Sequence, residues 1–123
     1  MSEYSPLGKH VLIDCYQCQL DISDPTNVNT LLRRSALKSG ATIVSEHFHA
    51  FSPVGVSGVI IIEESHFTIH TWPEHGFASI DAYTCGDTID FKKAINCLKE
   101  ALKPTKIVVK EFERGNHLIK EKI

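Results

Sequence analysis

The run Val59-Ile60-Ile61-Ile62 is followed, after Glu63-Glu64, by residues 66–72, which alternate polar and apolar and stop at Pro73. Two strand-forming segments this close can pair only antiparallel, because a parallel neighbour needs a crossover of a dozen or more residues. This hairpin constrains the fold more than any other feature. Its second half is also unusually polar, with a hydroxyl, imidazoles and carboxylates crowded into Glu63-Glu64-Ser65-His66-Phe67-Thr68-Ile69-His70-Thr71-Trp72-Pro73-Glu74. Polar groups in a sheet cost free energy unless each finds a partner, so a strand does not collect them for stability. Chemistry is expected here first.

The flanking segments extend the same pattern. Residues 9–16 read as a first strand. Asp24-Pro25 supplies a cap and a first-turn proline for a helix carrying Val28, Leu31, Leu32 and Ala36 on one face, with Gly40 beyond its end. A second strand is expected over residues 41–51, and a third opens at Val54 and runs to about Glu64. Residues 77–85 form a fifth strand after His75-Gly76 turns the chain. A second helix places Phe91, Ala94, Ile95, Leu98 and Leu102 on one face, before Pro104 and a last strand over residues 106–112. The order β-α-β-β-β-β-α-β predicts an α+β, two-layer sandwich: a mostly antiparallel sheet with both helices on one face. On the fifth strand Ala78, Ile80 and Ala82 suit packing beneath helices. Ser79, Asp81, Tyr83 and Cys85 point the other way, and so mixed a face implies cover by a second subunit, a ligand or both.

With 123 residues the chain is expected to form one domain, residues 1–123. A net charge of −2 without a basic run offers no footprint for nucleic acid. No apolar stretch approaches the roughly 18 residues of a membrane span, and no signal-peptide pattern opens the chain, so a cytoplasmic protein is expected. Cys15 and Cys18 form a C-x-x-C with no second pair to complete a zinc site. They are expected inside the first strand, facing opposite ways. Cys97 falls among apolar helix residues and is expected in the core.

A Ser-His pair alone is cheap by chance, and His66 and His70 read first as structural histidines. Their company changes that for His70, while His66 and His75 are left as structural. Phe51-Ser52-Pro53-x-Gly55-x-Ser57-Gly58, Glu64-Ser65-His66-x-Thr68-Ile69-His70-Thr71-Trp72-Pro73-Glu74 and Thr84-Cys85-Gly86 stand at fixed offsets. Together they resemble the short, prokaryotic-type S-adenosylmethionine decarboxylases, over essentially the whole chain and with no departure at the motif positions.

The resemblance implies a proenzyme. Ser65 would attack the carbonyl of Glu64 to form an ester, and β-elimination followed by hydrolysis would leave a pyruvoyl group and ammonia. The products would be a chain of residues 1–64 and a chain of residues 65–123 that begins with the pyruvoyl cofactor. Ser57 would hydrogen-bond the developing intermediate and His70 would be the base for elimination. The pyruvoyl carbonyl would form a Schiff base with S-adenosylmethionine and act as electron sink for loss of carbon dioxide, giving the aminopropyl donor of spermidine and polyamine synthesis. Cys85 is the implied proton donor, since an ordinary thiol has a proton to give at neutral pH. Without the motif it would read as a small hydrophobe. Phe51 matches an aromatic that stacks on adenine, Glu74 a carboxylate that accepts from both ribose hydroxyls, and Trp72 a pocket wall. Core packing for Phe51 and a solvated turn for Glu74 are the plainer readings of those residues.

Parity along residues 65–72 places His66, Thr68 and His70 on one face and Ser65 and Ile69 on the other. Ser65 and His70 of one chain need not meet. The resemblance supplies a homodimer with two interfacial sites, each taking Ser65 and Cys85 from one subunit and Phe51, Ser57, His70 and Glu74 from the other. Three other readings stay open, one of them a non-catalytic regulatory module that keeps the fold but never self-processes. Relatives with the same chemistry act on arginine or ornithine, against which Phe51 and Glu74 favour the adenosyl substrate. His47 and His49, on one strand face, could join His70 or His75 around a metal, although the resemblance implies none.

Overall fold

The computed structural model describes residues 6–63, 65–85 and 87–115. Their elements are β1 (Gly8–Tyr16), α1 (Pro25–Lys38), β2 (Ile43–Ala50), β3 (Val56–Ile62), β4 (Ser65–Trp72), a 3-10 turn (Pro73–His75), β5 (Phe77–Thr84), α2 (Phe91–Leu102) and β6 (Lys106–Arg114). Strands hydrogen-bond in the order β2-β3-β4-β5-β1-β6, and every pairing is antiparallel. The two-layer α+β sandwich expected from the sequence is the fold that forms.

Local chemistry sets the helix ends. The Asp24 carboxylate accepts from the Thr26 N–H at 2.9 Å, Pro25 fills the first turn, and Gly40 leaves α1 at φ +94. Asp90 caps α2 by accepting from the Lys93 N–H at 3.2 Å. Alternation then divides the sheet. Val11, Ile13, Phe67, Ile69, Ile80 and Ala82 are buried against Val28, Leu32 and Ala36 of α1 and Leu98 and Leu102 of α2. The other face carries Leu12, Tyr16, Ile61, Trp72 and Phe112, all exposed, beside half-buried polar residues.

Several boundaries differ from expectation. The third strand starts at Val56 rather than Val54, because Gly55 takes φ +112. β6 continues to Arg114, two residues further than its apolar alternation suggests, held by pairing with β1 as far as Gly8. Only the first cysteine of the C-x-x-C lies within a strand. β1 ends at Tyr16, Gln17 takes φ +52, and the chain turns so that the Cys18 thiol donates to the Cys15 carbonyl at 3.6 Å. Burial, followed by the charges of Cys18 and Asp14, pushes the Cys15 thiol up to about 12, and burial also raises Cys18. Both are poor metal or redox thiols. Cys97 is half-buried, in a groove between α1 and α2 with Leu20, Leu31 and Arg34, rather than in the core.

Gly58 has a packing reason distinct from that of Gly55. Register pairs it with Phe48, and a Cβ built on it would stand 2.1 Å from the Phe48 ring. The ring lies over the bare backbone of β3. Gly58→Ala is therefore expected to lower stability by about 1–3 kcal/mol through overpacking, read as a lower urea midpoint at unchanged slope.

Candidate active site

The residues singled out by sequence fall into two groups at opposite ends of β4. Ser65 opens β4, opposite Thr84 at the end of β5, and the Cys85 N–H donates to Ser65 Oγ at 3.2 Å. Cys85 lies just past the strand and is exposed, beside a depression lined by Gly8, Lys9 and Thr84. Glu64 and Gly86, named in the expected cleavage and Thr84-Cys85-Gly86 motifs, lie outside the described residues.

The second group gathers five residues further along β4. Register aligns His49, Ser57, His70 and Ser79 in one row across β2, β3, β4 and β5. Ser57 Oγ and His70 Nδ1 are 2.8 Å apart. The His49 ring meets Phe51 edge-on at 4.6 Å between centroids, and Phe51 remains 51% exposed. Trp72 ends the strand, next to the His70 ring at 6.4 Å, with Phe77 and then Tyr16 continuing the aromatic run across the sheet. Glu74 is exposed on the 3-10 turn that follows.

A buried hydroxyl ties this end together. Thr71 Oγ1 accepts from the Val56 N–H and donates to the Ile22 carbonyl, both at 2.9 Å. The Phe51 N–H closes its own loop by donating to the Gly55 carbonyl at 2.8 Å. The loop bearing Phe51 is thereby fixed to the strand bearing His70. The positive φ of Gly55 brings the backbone close to the Thr71 carbonyl, where an added Cβ would stand 3.3 Å away.

The distance between the groups decides what one chain can do. Five residues of antiparallel strand separate Ser65 from His70, about 17 Å at 3.4 Å per residue. Hydrogen-bond reach ends near 3.2 Å. The Ser57–His70 pair of one chain does not reach that chain's own Ser65.

Sequence reasoning left His66 as a structural histidine, yet it belongs to a network on the open face. His10 Nε2 and His66 Nε2 lie 2.5 and 3.4 Å from Asp81 Oδ2, and the Thr68 hydroxyl donates to Asp81 Oδ1. Arg114 stands 3.2 Å from His10 Nδ1. A guanidinium only donates, so Nδ1 accepts and the His10 proton sits on Nε2, aimed at the carboxylate. Burial raises the Asp81 carboxyl, but hydrogen bonds from Thr68, His10 and His66, with the charge of His66, outweigh it and hold the carboxyl below its usual range. The signal available in the sequence was the row spacing: His66 and Asp81 alternate with core residues on strands expected to be near one another.

The same geometry redirects the metal reading. Among the described residues, the three ligand-type atoms lying within 4.8 Å of one another belong to His10, His66 and Asp81, and neither His47 nor His49 is among them. A metal on His10 Nε2 would move the ring proton to Nδ1, against the Arg114 donor. The cluster is held together by hydrogen bonds that converge on Asp81.

Because the folded-state pKa of Asp81 is lowered, its stabilisation is present above the unfolded value of about 3.9 and is lost as pH falls through that value toward the lower folded one. Asp81→Asn is expected to be less stable than the parent at neutral pH and to show a smaller drop in urea midpoint between pH 6 and pH 3.

The pattern of the family described as S-adenosylmethionine decarboxylase matches residues 9–115. The chain is 47% identical over 112 residues to the S-adenosylmethionine decarboxylase proenzyme of Thermotoga petrophila, covering 90% of this chain and 86% of that one. It is 48% identical over 110 residues to S-adenosylmethionine decarboxylase proenzyme 2 of Halalkalibacterium halodurans, covering 89% and 87%. The crystal structure of adenosylmethionine decarboxylase from Aquifex aeolicus superposes with a TM-score of 0.81 at 37% identity, over 90% of this chain and 92% of that one. The Trypanosoma brucei protein shares the fold, with a TM-score of 0.60 at 18% identity over 82% of this chain and 44% of that one.

Proposed function

This chain belongs to the S-adenosylmethionine decarboxylase family, and from that premise we propose that it cuts itself between Glu64 and Ser65 and uses residue 65 as a pyruvoyl group. The enzyme decarboxylates S-adenosylmethionine. One observation carries the reading of the site: the family's motif residues divide between two ends of β4, each locally complete. Ser65 has a backbone donor and a thiol-bearing neighbour at one end. The other end carries a Ser–His pair, exposed aromatics and a carboxylate.

The residues present fit a pyruvoyl group. Residue 65 begins a strand, so a cut before it leaves a chain end already seated in the sheet, and the Cys85 N–H points at its side-chain oxygen. When formed, such a group is an electron sink for the carboxylate's bonding electrons. The protein's own side chains do the rest. For His70 to remove a proton, Nε2 must present a lone pair, which requires Nδ1–H donating to Ser57 at the observed 2.8 Å. Cys85 delivers a proton beside residue 65. Phe51 offers an exposed ring face to the adenine, Trp72 walls the pocket, and Glu74 accepts from the ribose hydroxyls.

Completing the site takes a second copy. A two-fold operator that lays one open sheet face on another brings the Ser65 end of each subunit to the His70 end of its partner, giving two equal sites. Such a homodimer would also cover Leu12, Tyr16, Ile61 and Phe112. None of the four cysteines is in a disulfide, in keeping with a reducing, cytoplasmic setting.

The sheet would hold the two cut pieces together. β1, β2 and β3 belong to the first piece and β4, β5 and β6 to the second, yet β1 lies between β5 and β6. Separation breaks three ladders. On a native column, both pieces are therefore expected in one peak after cleavage, and denaturing mass spectrometry is expected to resolve them with a pyruvoyl at the start of the second. A single uncut chain in active enzyme would overturn the reading.

Ser65→Ala is expected to stay uncut and inactive, and His70→Ala to be severely impaired. Co-expressed, the two defective chains rebuild one intact site per mixed dimer, about a quarter of all sites for random pairing. Recovery of S-adenosylmethionine decarboxylation near that level checks the shared site, and no recovery points to sites confined to one chain. The same assay with arginine and ornithine is expected to give no carbon dioxide.

A further inference from the structure

Cleavage before residue 65 creates a mechanical problem. β4 lies between β3 and β5 in the middle of the sheet, and only two residues of chain separate it from β3. After the cut, the reactive residue is the first residue of a strand and a free chain end, where ladders fray most readily. Something must hold that end in register.

Residue 65 itself cannot carry the anchor, because its side chain is consumed in the reaction. The first side chain beyond it is His66. Its Nε2 lies 3.4 Å from Asp81 Oδ2, and its ring stacks on Tyr83 at 5.9 Å and 22° between planes. Tyr83 is its register partner on β5. Asp81 is in turn held by the Thr68 hydroxyl and by His10, and His10 by Arg114. The chain Arg114–His10–Asp81–His66 thus crosses β6, β1, β5 and β4. It joins both pieces of a cut molecule, since His10 belongs to the first and the others to the second.

We infer that His66, clamped by Asp81 and Tyr83, is a positioning residue that keeps the newly formed chain end at residue 65 in place for turnover. This rests on the proposed self-cleavage. His66 touches neither substrate nor reacting atoms in this role and acts through its neighbour. Its contribution matters after cleavage, when the backbone no longer continues into Glu64. In the uncut chain the connection to β3 already restrains residue 65 from the other side.

The test compares cleaved enzyme with the uncut Ser65→Ala background, with and without His66→Ala. In cleaved enzyme, His66→Ala is expected to lower kcat per processed site by about tenfold to a hundredfold, the scale of a reactive group displaced by about an ångström, with KM for S-adenosylmethionine changed less than about twofold. Amide hydrogen exchange over residues 66–68 is expected to quicken in the cleaved variant and to stay near the parental rate in the uncut background. His66→Gln, which keeps an N–H donor toward Asp81, is expected to recover most of kcat. Asp81→Ala removes the acceptor while leaving His66 in place, and is expected to reproduce the kcat loss should His66→Ala process poorly. Parental kcat in both cleaved variants, or equal quickening of exchange in cut and uncut chains, overturns the inference while leaving the decarboxylase reading intact. A wild-type chain that never cuts at Ser65 overturns both.

Discussion

The antiparallel pairing of β3 with β4 is the constraint on which the rest of the molecule depends. Its register, Ile62 with Ser65 through Ser57 with His70, sends Phe67, Ile69 and Thr71 toward the helices and His66, Thr68 and His70 toward the opposite face. Slipping that register by one residue would exchange the two sets, burying imidazoles and exposing the core. The apolar residues beneath the helices therefore hold the chemistry in place without touching it. The Ser57–His70 contact follows from the same register, because directly opposed residues of an antiparallel pair project from the same face.

The open face is not simply a wet surface. It carries a connected polar network around Asp81 and an aromatic run through Trp72, Phe77 and Tyr16. Three donors hold the half-buried Asp81 carboxylate in its charged form against the cost of its burial. Covering this face with a second subunit would strengthen those hydrogen bonds by lowering the local dielectric. It would also bring together the two ends of β4, which strand geometry keeps apart in one chain. In the proposed homodimer, covering this face and completing the site would be one event.

Much of this was legible in residue order. Asp24-Pro25, Gly40, Asp90 and Pro104 mark the helix ends through capping and proline chemistry, and the alternation of residues 77–84 separates core from open face. Two of the misreadings share one physical source. Gln17 at φ +52 and Gly55 at φ +112 are single backbone conformations that interrupt strand parity, and pattern alone does not reveal them. Hence Cys18 turned back on Cys15, and β3 began two residues late. The network around His66 was not legible, because its partners, Asp81, Tyr83 and His10, come from strands distant in sequence.

By itself the sequence determined the element types, the antiparallel hairpin at the centre and the identity of the motif residues. Those follow from local periodicity, caps and short connections, which are properties of neighbours along the chain. Only the tertiary structure decided that β1 inserts between β5 and β6, and that Ser57 meets His70 while Ser65 meets Cys85. It likewise decided that Asp81 gathers donors from β1 and β4. Such contacts are set by which strand edges come together once the apolar face is buried, and burial is a property of the whole sheet rather than of any one segment.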